Sequence, residues 1–281
     1  MSVDRPMFIL GPPRCGTTLL YRCIGSHPDV GYFNRANRKF MRSPRLAQAL
    51  TRLGVYADHP RESRLIWDRF HQGMDNAVLG AGDVAPGESE WYHTMIERVL
   101  AARGASRFVA KLPSHSVRVP WLEALFPDAI YVQAVRDWRA VVSSTMVKRA
   151  KDFGGKWFGV QAPGWQKAAT LPPEMGAAWQ YRMCHEILEE QAALYPGRYF
   201  QVWYEDLCLD PVPVMKKLAH HCGLRWTPEI EASLPPDVRP PSDKWKSVVL
   251  PEMIESILAE HGDVLSRYEW NGQSSKIAER V

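Results

Sequence analysis

Phe8-Ile9-Leu10-Gly11-Pro12-Pro13-Arg14-Cys15-Gly16-Thr17-Thr18-Leu19-Leu20 decides how this chain is read. The apolar residues form a short buried strand, the glycine-bounded run a tight loop, and the last four residues the first turn of a helix. A strand, loop and helix in this order hold a phosphate-like anion. Loop and helix N–H groups converge on the anion, and the helix dipole favours it. On the phosphate-loop template G-x-x-x-x-G-K-[ST], Gly11, Gly16 and Thr18 fall in place, but Thr17 stands where lysine belongs. The loop's cation is Arg14, two residues before the second glycine.

At 281 residues the chain is long enough for one large core, and the expectation is a single domain over 1–281. Its net charge of +4 suits a small anionic ligand, and no long lysine- or arginine-rich tract points to nucleic acid. The five cysteines contain no C-x-x-C pair, which argues against a disulfide framework or a zinc site. No signal-like leader opens the chain, and no apolar run approaches about 18 residues. The reading is a cytoplasmic protein without membrane insertion.

Further strands are expected at 107–111, 129–135 and 199–203, with a short extended piece at 30–33. Helices are expected at 17–26, 44–53, 119–126, 138–151, 173–195, 211–222 and 250–261, and residues 54–106 read as mostly helical around a loop at 80–89. Ser43-Pro44 has the look of an N-cap followed by proline at N1, and Gly223 that of a left-handed helix stop. The strand–helix–strand unit from 107 to 135 calls for a right-handed parallel crossover. The fold class is therefore α/β: a phosphate-loop-like parallel β-sheet with helices on both faces. Ligands in such sheets sit beyond the carboxyl ends of the strands. Arg14, Lys111, Arg136 and Tyr204 all fall there. The glycine- and tryptophan-rich stretch 152–173, with Trp157, Phe158 and Trp165, is too long for an idle connection.

A nucleotide hydrolase or kinase needs a lysine on the terminal phosphates and a carboxylate for magnesium. The lysine is missing, and the buried strand at 129–135 is followed by Arg136 rather than an acid. Three cations without metal-ligand spacing instead suit direct neutralisation of a ligand with separated anionic groups. Sulfuryl transfer fits, since the migrating group carries less charge than a phosphoryl group.

Residues 13–20 resemble the 5′-phosphosulfate loop of sulfotransferases that use 3′-phosphoadenosine 5′-phosphosulfate (PAPS), in the arginine version of the tyrosylprotein and bacterial branches. Val135-Arg136-Asp137 through Ser143-Ser144 resembles the family's 3′-phosphate motif, an arginine and a serine eight residues apart. Tyr204-Glu205-Asp206-Leu207, with Asp210-Pro211 and a helix ending Cys222-Gly223-Leu224, is similar to its third landmark. The resemblance implies that Arg14, Gly16, Thr17, Thr18 and the Cys15 N–H hold the 5′-phosphosulfate, and that Arg136 and Ser144 hold the 3′-phosphate. It further implies that Tyr204 lines the nucleotide site, that Lys111 meets the bridging oxygen or sulfuryl group, and that Ser242 and Lys246 close over the nucleotide. The products implied are 3′,5′-ADP and a sulfated small-molecule, glycan or lipid acceptor, without a metal.

The base is the departure. Relatives with the arginine loop place a glutamate shortly after the His-Pro-Asp turn, whereas the run Gly31-Tyr32-Phe33-Asn34-Arg35-Ala36-Asn37 has no acid. His115, four residues after Lys111, is the first substitute as catalytic base, with Asp83, Glu88 and Glu90 behind it. Two alternatives stay open at this point: a nucleotide-dependent kinase with a degenerate loop, and a non-catalytic nucleotide-binding or interaction module.

Overall fold

The computed structural model describes residues 3–74, 77–238 and 242–270. In chain order the elements are β1 (Met7–Leu10), α1 (Thr17–Gly25), β2 (Val30–Gly31), α2 (Arg35–Lys39), α3 (Pro44–Arg52), α4 (Arg64–Trp67) and α5 (Glu88–Arg103). Then follow β3 (Arg107–Lys111), α6 (Val119–Leu125), β4 (Ile130–Val135), α7 (Trp138–Phe153), α8 (Trp165–Ala168) and α9 (Pro173–Leu194). The chain continues with β5 (Tyr199–Trp203), α10 (Tyr204–Leu209), α11 (Pro211–Cys222), α12 (Pro228–Ala232) and α13 (Pro251–Leu265).

The strands form one sheet in the order β2-β3-β1-β4-β5, and every pair is parallel. Because β1 is central, the chain steps first to one side of it and then to the other. That makes its carboxyl end a topological switch point, where ligands of such sheets bind.

Period-two alternation sorts each strand's side chains between two cores. Met7, Ile9, Val109, Ile130 and Val132 join the layer under α1, α7, α9, α11 and α13. Phe8, Leu10, Phe108, Ala110 and Tyr131 join the layer under α5 and α6. Covered on both faces, the central strands are apolar almost throughout, which is why they read as continuous apolar runs.

The strands at 107–111 and 199–203 and the helix at 211–222 fall where the periodicity puts them. Gly223 takes the left-handed cap, at φ 67°. Residues 54–106 differ from expectation. Only α4, α5 and a single 3₁₀ turn at Ala81–Asp83 are helical there, because Pro60 and the glycines at 73, 80, 82 and 87 interrupt the pattern. The expected loop at 80–89 ends early, at the start of α5. The Ser43 side chain makes no cap bond, so proline at N1 alone marks the start of α3.

α4 has a single turn and is held by Trp67, which is 1% exposed and stacks on Tyr92 at 5.1 Å between centroids. Trp67→Ala should cost about 3–5 kcal/mol, read from urea unfolding. A loss below about 1 kcal/mol would mean that packing does not fix the 54–87 segment.

Candidate active site

Sheet register decides which side chains meet. Val135 pairs with Trp203 at the end of the β4–β5 ladder, so Arg136 and Tyr204 leave the sheet side by side. The Arg136 guanidinium lies 4.4 Å from the Tyr204 ring centroid. Tyr204 in turn closes over Gly16. A Cβ there would come within 2.2 Å of the ring, and the backbone φ is +83°, so only glycine fits. With no side chain at Gly16 to cap α1, the Thr17 and Thr18 N–H groups are left for a ligand, while Leu19 N donates to Gly16 O at 3.0 Å.

Arg14 holds the cluster together. Its backbone is left-handed, at φ 75°, uncommon for a residue with a Cβ. Its Nε donates to Ser144 Oγ at 2.8 Å, and its carbonyl accepts from Arg136 Nη1 at 3.0 Å. Neither guanidinium has a carboxylate partner among the described residues. Burial first, and Arg136 second, press the Arg14 pKa below its ordinary value. An anion between the two would relieve both effects. The Cys15 N–H, expected to face the ligand, donates within the loop to Pro12 O at 3.3 Å. Thr17 is buried and Thr18 exposed.

A cleft of about 410 Å³ opens beside Arg136. Arg136, Arg139, Ser242, Trp245 and Lys246 are among its lining, so the late Ser242–Lys246 segment shares a wall with Arg136. A second cleft, of about 710 Å³, has Thr18 and Lys111 in its lining. Lys111 Nζ, at the end of β3, donates to Thr18 Oγ1 at 3.2 Å and to Glu62 Oε1. The loop touches both regions through its neighbours: Arg14 O accepts from Arg136 of the first cleft, and Thr18 is part of the lining of the second.

Glu62 went unnoticed in the sequence. It sits in an irregular stretch beside Pro60, tied to the sheet edge by Arg61 N donating to Phe33 O at 2.9 Å. No periodicity marks such a segment. The available signal was an acid next to a proline in a stretch without helical spacing.

His115 requires a correction. It is fully buried, boxed by Trp67 at 4.9 Å, Phe8 at 5.7 Å and Trp121 at 6.2 Å between ring centroids. Burial, then Arg118 and Arg64, hold its pKa well below the ordinary value. A neutral ring sealed in the core has no path to a substrate proton. Its neighbour Ser116 supports the loop from below, accepting from Gly11 N at 2.8 Å.

The three spare acids also lie elsewhere. Asp83 accepts from Gly80 N at 2.7 Å, and Glu88 is buried against His71 Nε2 at 3.0 Å. Glu90 lines a separate cleft beside Arg42 and Trp91. In the 152–173 stretch, Trp157 packs on Trp165, Trp179 and Arg149, and Gln180 Nε2 donates to the Phe158 and Val160 carbonyls at 3.2 Å. Gly159 presses on Gln180 and Pro13 so closely that a Cβ would come within 2.8 Å of Pro13. This stretch braces the loop from the α7–α9 side, and its aromatics do not line the Lys111 cleft.

A glycine-bounded loop at the carboxyl end of a central parallel strand, leading into a helix, is the setting in which α/β proteins bind nucleotides. The description "Sulfotransferase family" matches residues 6–228, and the chain belongs to that family. It is 26% identical to the ω-hydroxy-β-dihydromenaquinone-9 sulfotransferase Stf3 of Mycobacterium bovis, over 95% of this chain and 76% of that protein. It is 23% identical to protein-tyrosine sulfotransferase A of Caenorhabditis elegans, over 80% of this chain and 51% of that protein. In fold it is similar to sulfotransferase STF9 of Mycobacterium avium, with a TM-score of 0.63, 19% identity, and 94% and 77% of the two chains covered. Its activity is PAPS-dependent sulfuryl transfer.

Glu205 underlies the Arg136 corner, where its Oε1 accepts from Asp137 N at 3.0 Å. Burial pushes its carboxyl up to about 7 from 4.5. Between those values the folded chain keeps a proton that the unfolded chain has lost, so stability falls as pH rises through the window and levels off above it. The span is on the order of 3 kcal/mol. Glu205→Gln should flatten the urea midpoint between about pH 4.5 and 7. A slope unchanged by the substitution would contradict the assignment.

Proposed function

We propose that this chain moves the sulfuryl group of PAPS to a hydroxyl seated in the Lys111 cleft, with Glu62 taking the proton. The observation that carries this reading is the Lys111–Glu62–Thr18 contact in the lining of the acceptor cleft, with Thr18 four residues after Arg14 in the same loop and helix start. PAPS supplies an activated sulfur whose bond to the 5′-phosphate oxygen breaks. Arg14 and the N–H groups of Thr17 and Thr18 hold the 5′-phosphosulfate end. Arg136 and Ser144 hold the 3′-phosphate, Tyr204 fixes the Arg136 plane, and Ser242 and Lys246 border the same cleft.

The acceptor oxygen forms the new bond to sulfur, and the electron pair of the broken bond stays on the phosphate oxygen of 3′,5′-ADP. Lys111 neutralises charge building on that oxygen and on the sulfuryl group. Glu62 removes the hydroxyl proton as the bond forms. Its carboxylate is already hydrogen-bonded to Lys111, so base and electrophile stabiliser are set in one geometry before substrate arrives. The names of the two relatives support a hydroxyl acceptor: one acts on an ω-hydroxy lipid quinone and the other on protein tyrosine.

The test uses radiolabelled PAPS with an extract of the source cells. Glu62→Gln should lower transfer by about 10²–10⁴-fold while 3′,5′-ADP binding changes little. His115→Leu, an apolar replacement in an apolar box, should keep transfer within a few-fold. Loss of transfer in the His115 variant, folded and binding 3′,5′-ADP normally, with the Glu62 variant active, would overturn this reading.

A further inference from the structure

The modest net charge of the chain conceals a one-sided stretch. From 30 to 57 there are six cations, Arg35, Arg38, Lys39, Arg42, Arg45 and Arg52, and no aspartate or glutamate. Its centre is α3, and α3 is folded inside out. Its inner face carries Pro44, Ala47, Gln48 and Thr51. Two of these are held by polar bonds: Thr51 Oγ1 accepts from Asn34 Nδ2 at 3.2 Å, and Gln48 Oε1 accepts from Arg103 Nη1 at 3.4 Å.

The outer face carries Leu46 at 47% exposure and Leu53 at 77%, with half-buried Leu50 between them. Those positions are i, i+4 and i+7, one stripe along the helix. Arg45 and Arg52 run beside that stripe at the same spacing. A surface helix of a globular protein normally turns such a stripe inward. Val55, 60% exposed and with its N–H donating to Leu50 O at 3.0 Å, extends the apolar ridge past the helix. Single exposed leucines need no explanation, but an aligned ridge with a cationic border does.

The ridge is also placed next to the chemistry. Immediately before it in the chain, Asn34, Arg35 and Arg38 line the Lys111 cleft, and immediately after it Pro60 to Leu65 do so. A second copy of this chain would bring cations against cations. An anionic lipid surface matches both parts of the face, with leucines at the acyl boundary and arginines among the phosphates.

We propose that α3, with Val55, docks on an anionic lipid bilayer and turns the Lys111 cleft toward a hydroxyl carried by a membrane lipid. The docking half stands on the surface alone, and the acceptor half rests on the function proposed above. The contact is peripheral: no helix among the described residues is long and apolar enough to cross a membrane.

The test is co-sedimentation of the full chain with vesicles of phosphatidylcholine, alone or mixed with phosphatidylglycerol. The chain should bind the anionic vesicles and be released by high salt. A Leu46→Ser, Leu53→Ser double variant and an Arg45→Glu, Arg52→Glu double variant should each bind about tenfold or more weakly, while still binding 3′,5′-ADP like the parent. No preference for anionic vesicles, or variants that bind as well as the parent, would overturn the docking. So would a loss of self-association in the variants, which would show that a second copy covers α3. With radiolabelled PAPS and a source-cell membrane extract, label should enter the organic-soluble lipid. Label confined to water-soluble products would overturn the lipid acceptor, whereas vesicle binding without any transfer would count against the sulfotransferase mechanism instead.

Discussion

Two arginines placed against one another, with no carboxylate paired to either among the described residues, are the constraint on which this structure turns. Arg14 donates its side chain to Ser144 and lends its carbonyl to Arg136. Arg136 is thus tied to the Arg14 backbone, and burial first, with Arg136 second, lowers the proton affinity of the Arg14 guanidinium. Like charges this close persist only where the fold holds them, and a ligand with anionic groups on both sides relaxes them. The fold holds them through several independent devices: the β4–β5 register, the Tyr204 ring, the left-handed turn at Arg14, and the Tyr181 hydroxyl donating to Arg136 O at 2.7 Å.

Two clefts open near the loop, one lined by Arg136 and the other by Thr18 and Lys111. The cleft beside Arg136 is also lined by Arg139 and Lys246, each paired with an acid, Asp137 and Asp243. Lys111 and Glu62 stand in the lining of the larger cleft. Arg14 supplies the loop's cation, while Thr17 stands where ordinary phosphate loops have lysine. A sulfuryl group with less charge to neutralise fits an arrangement of side chains and backbone N–H groups.

Much of this was legible because local sequence patterns carried it. The strand at 107–111 was readable from its continuous apolar run, since burial on both faces leaves no polar alternation. Arg14, Arg136, Ser144 and Tyr204 were readable because each follows a strand or lies on the helix after one. Glu62 was not. It reaches Lys111 from 49 positions away in sequence, on a segment whose path depends on one backbone bond to Phe33 and on the packing of Trp67. His115 misled for the complementary reason: residue type and nearness to Lys111 are local facts, whereas burial between Phe8, Trp67 and Trp121 is a tertiary one. Glu88, read as a loop acid, was hidden in the same way by its buried contact with His71.

The central claim is that this site is built for a nucleotide carrying anions at both its 5′ and 3′ positions. Calorimetric titration with 3′,5′-ADP, ADP and magnesium-ATP, on the parent chain and on Arg136→Ala, tests it directly. The account predicts that 3′,5′-ADP binds the parent at least tenfold more tightly than ADP, a difference of about 1.4 kcal/mol or more, and that Arg136→Ala removes that preference. Equal affinity for ADP and 3′,5′-ADP, or tighter binding of magnesium-ATP, would contradict it.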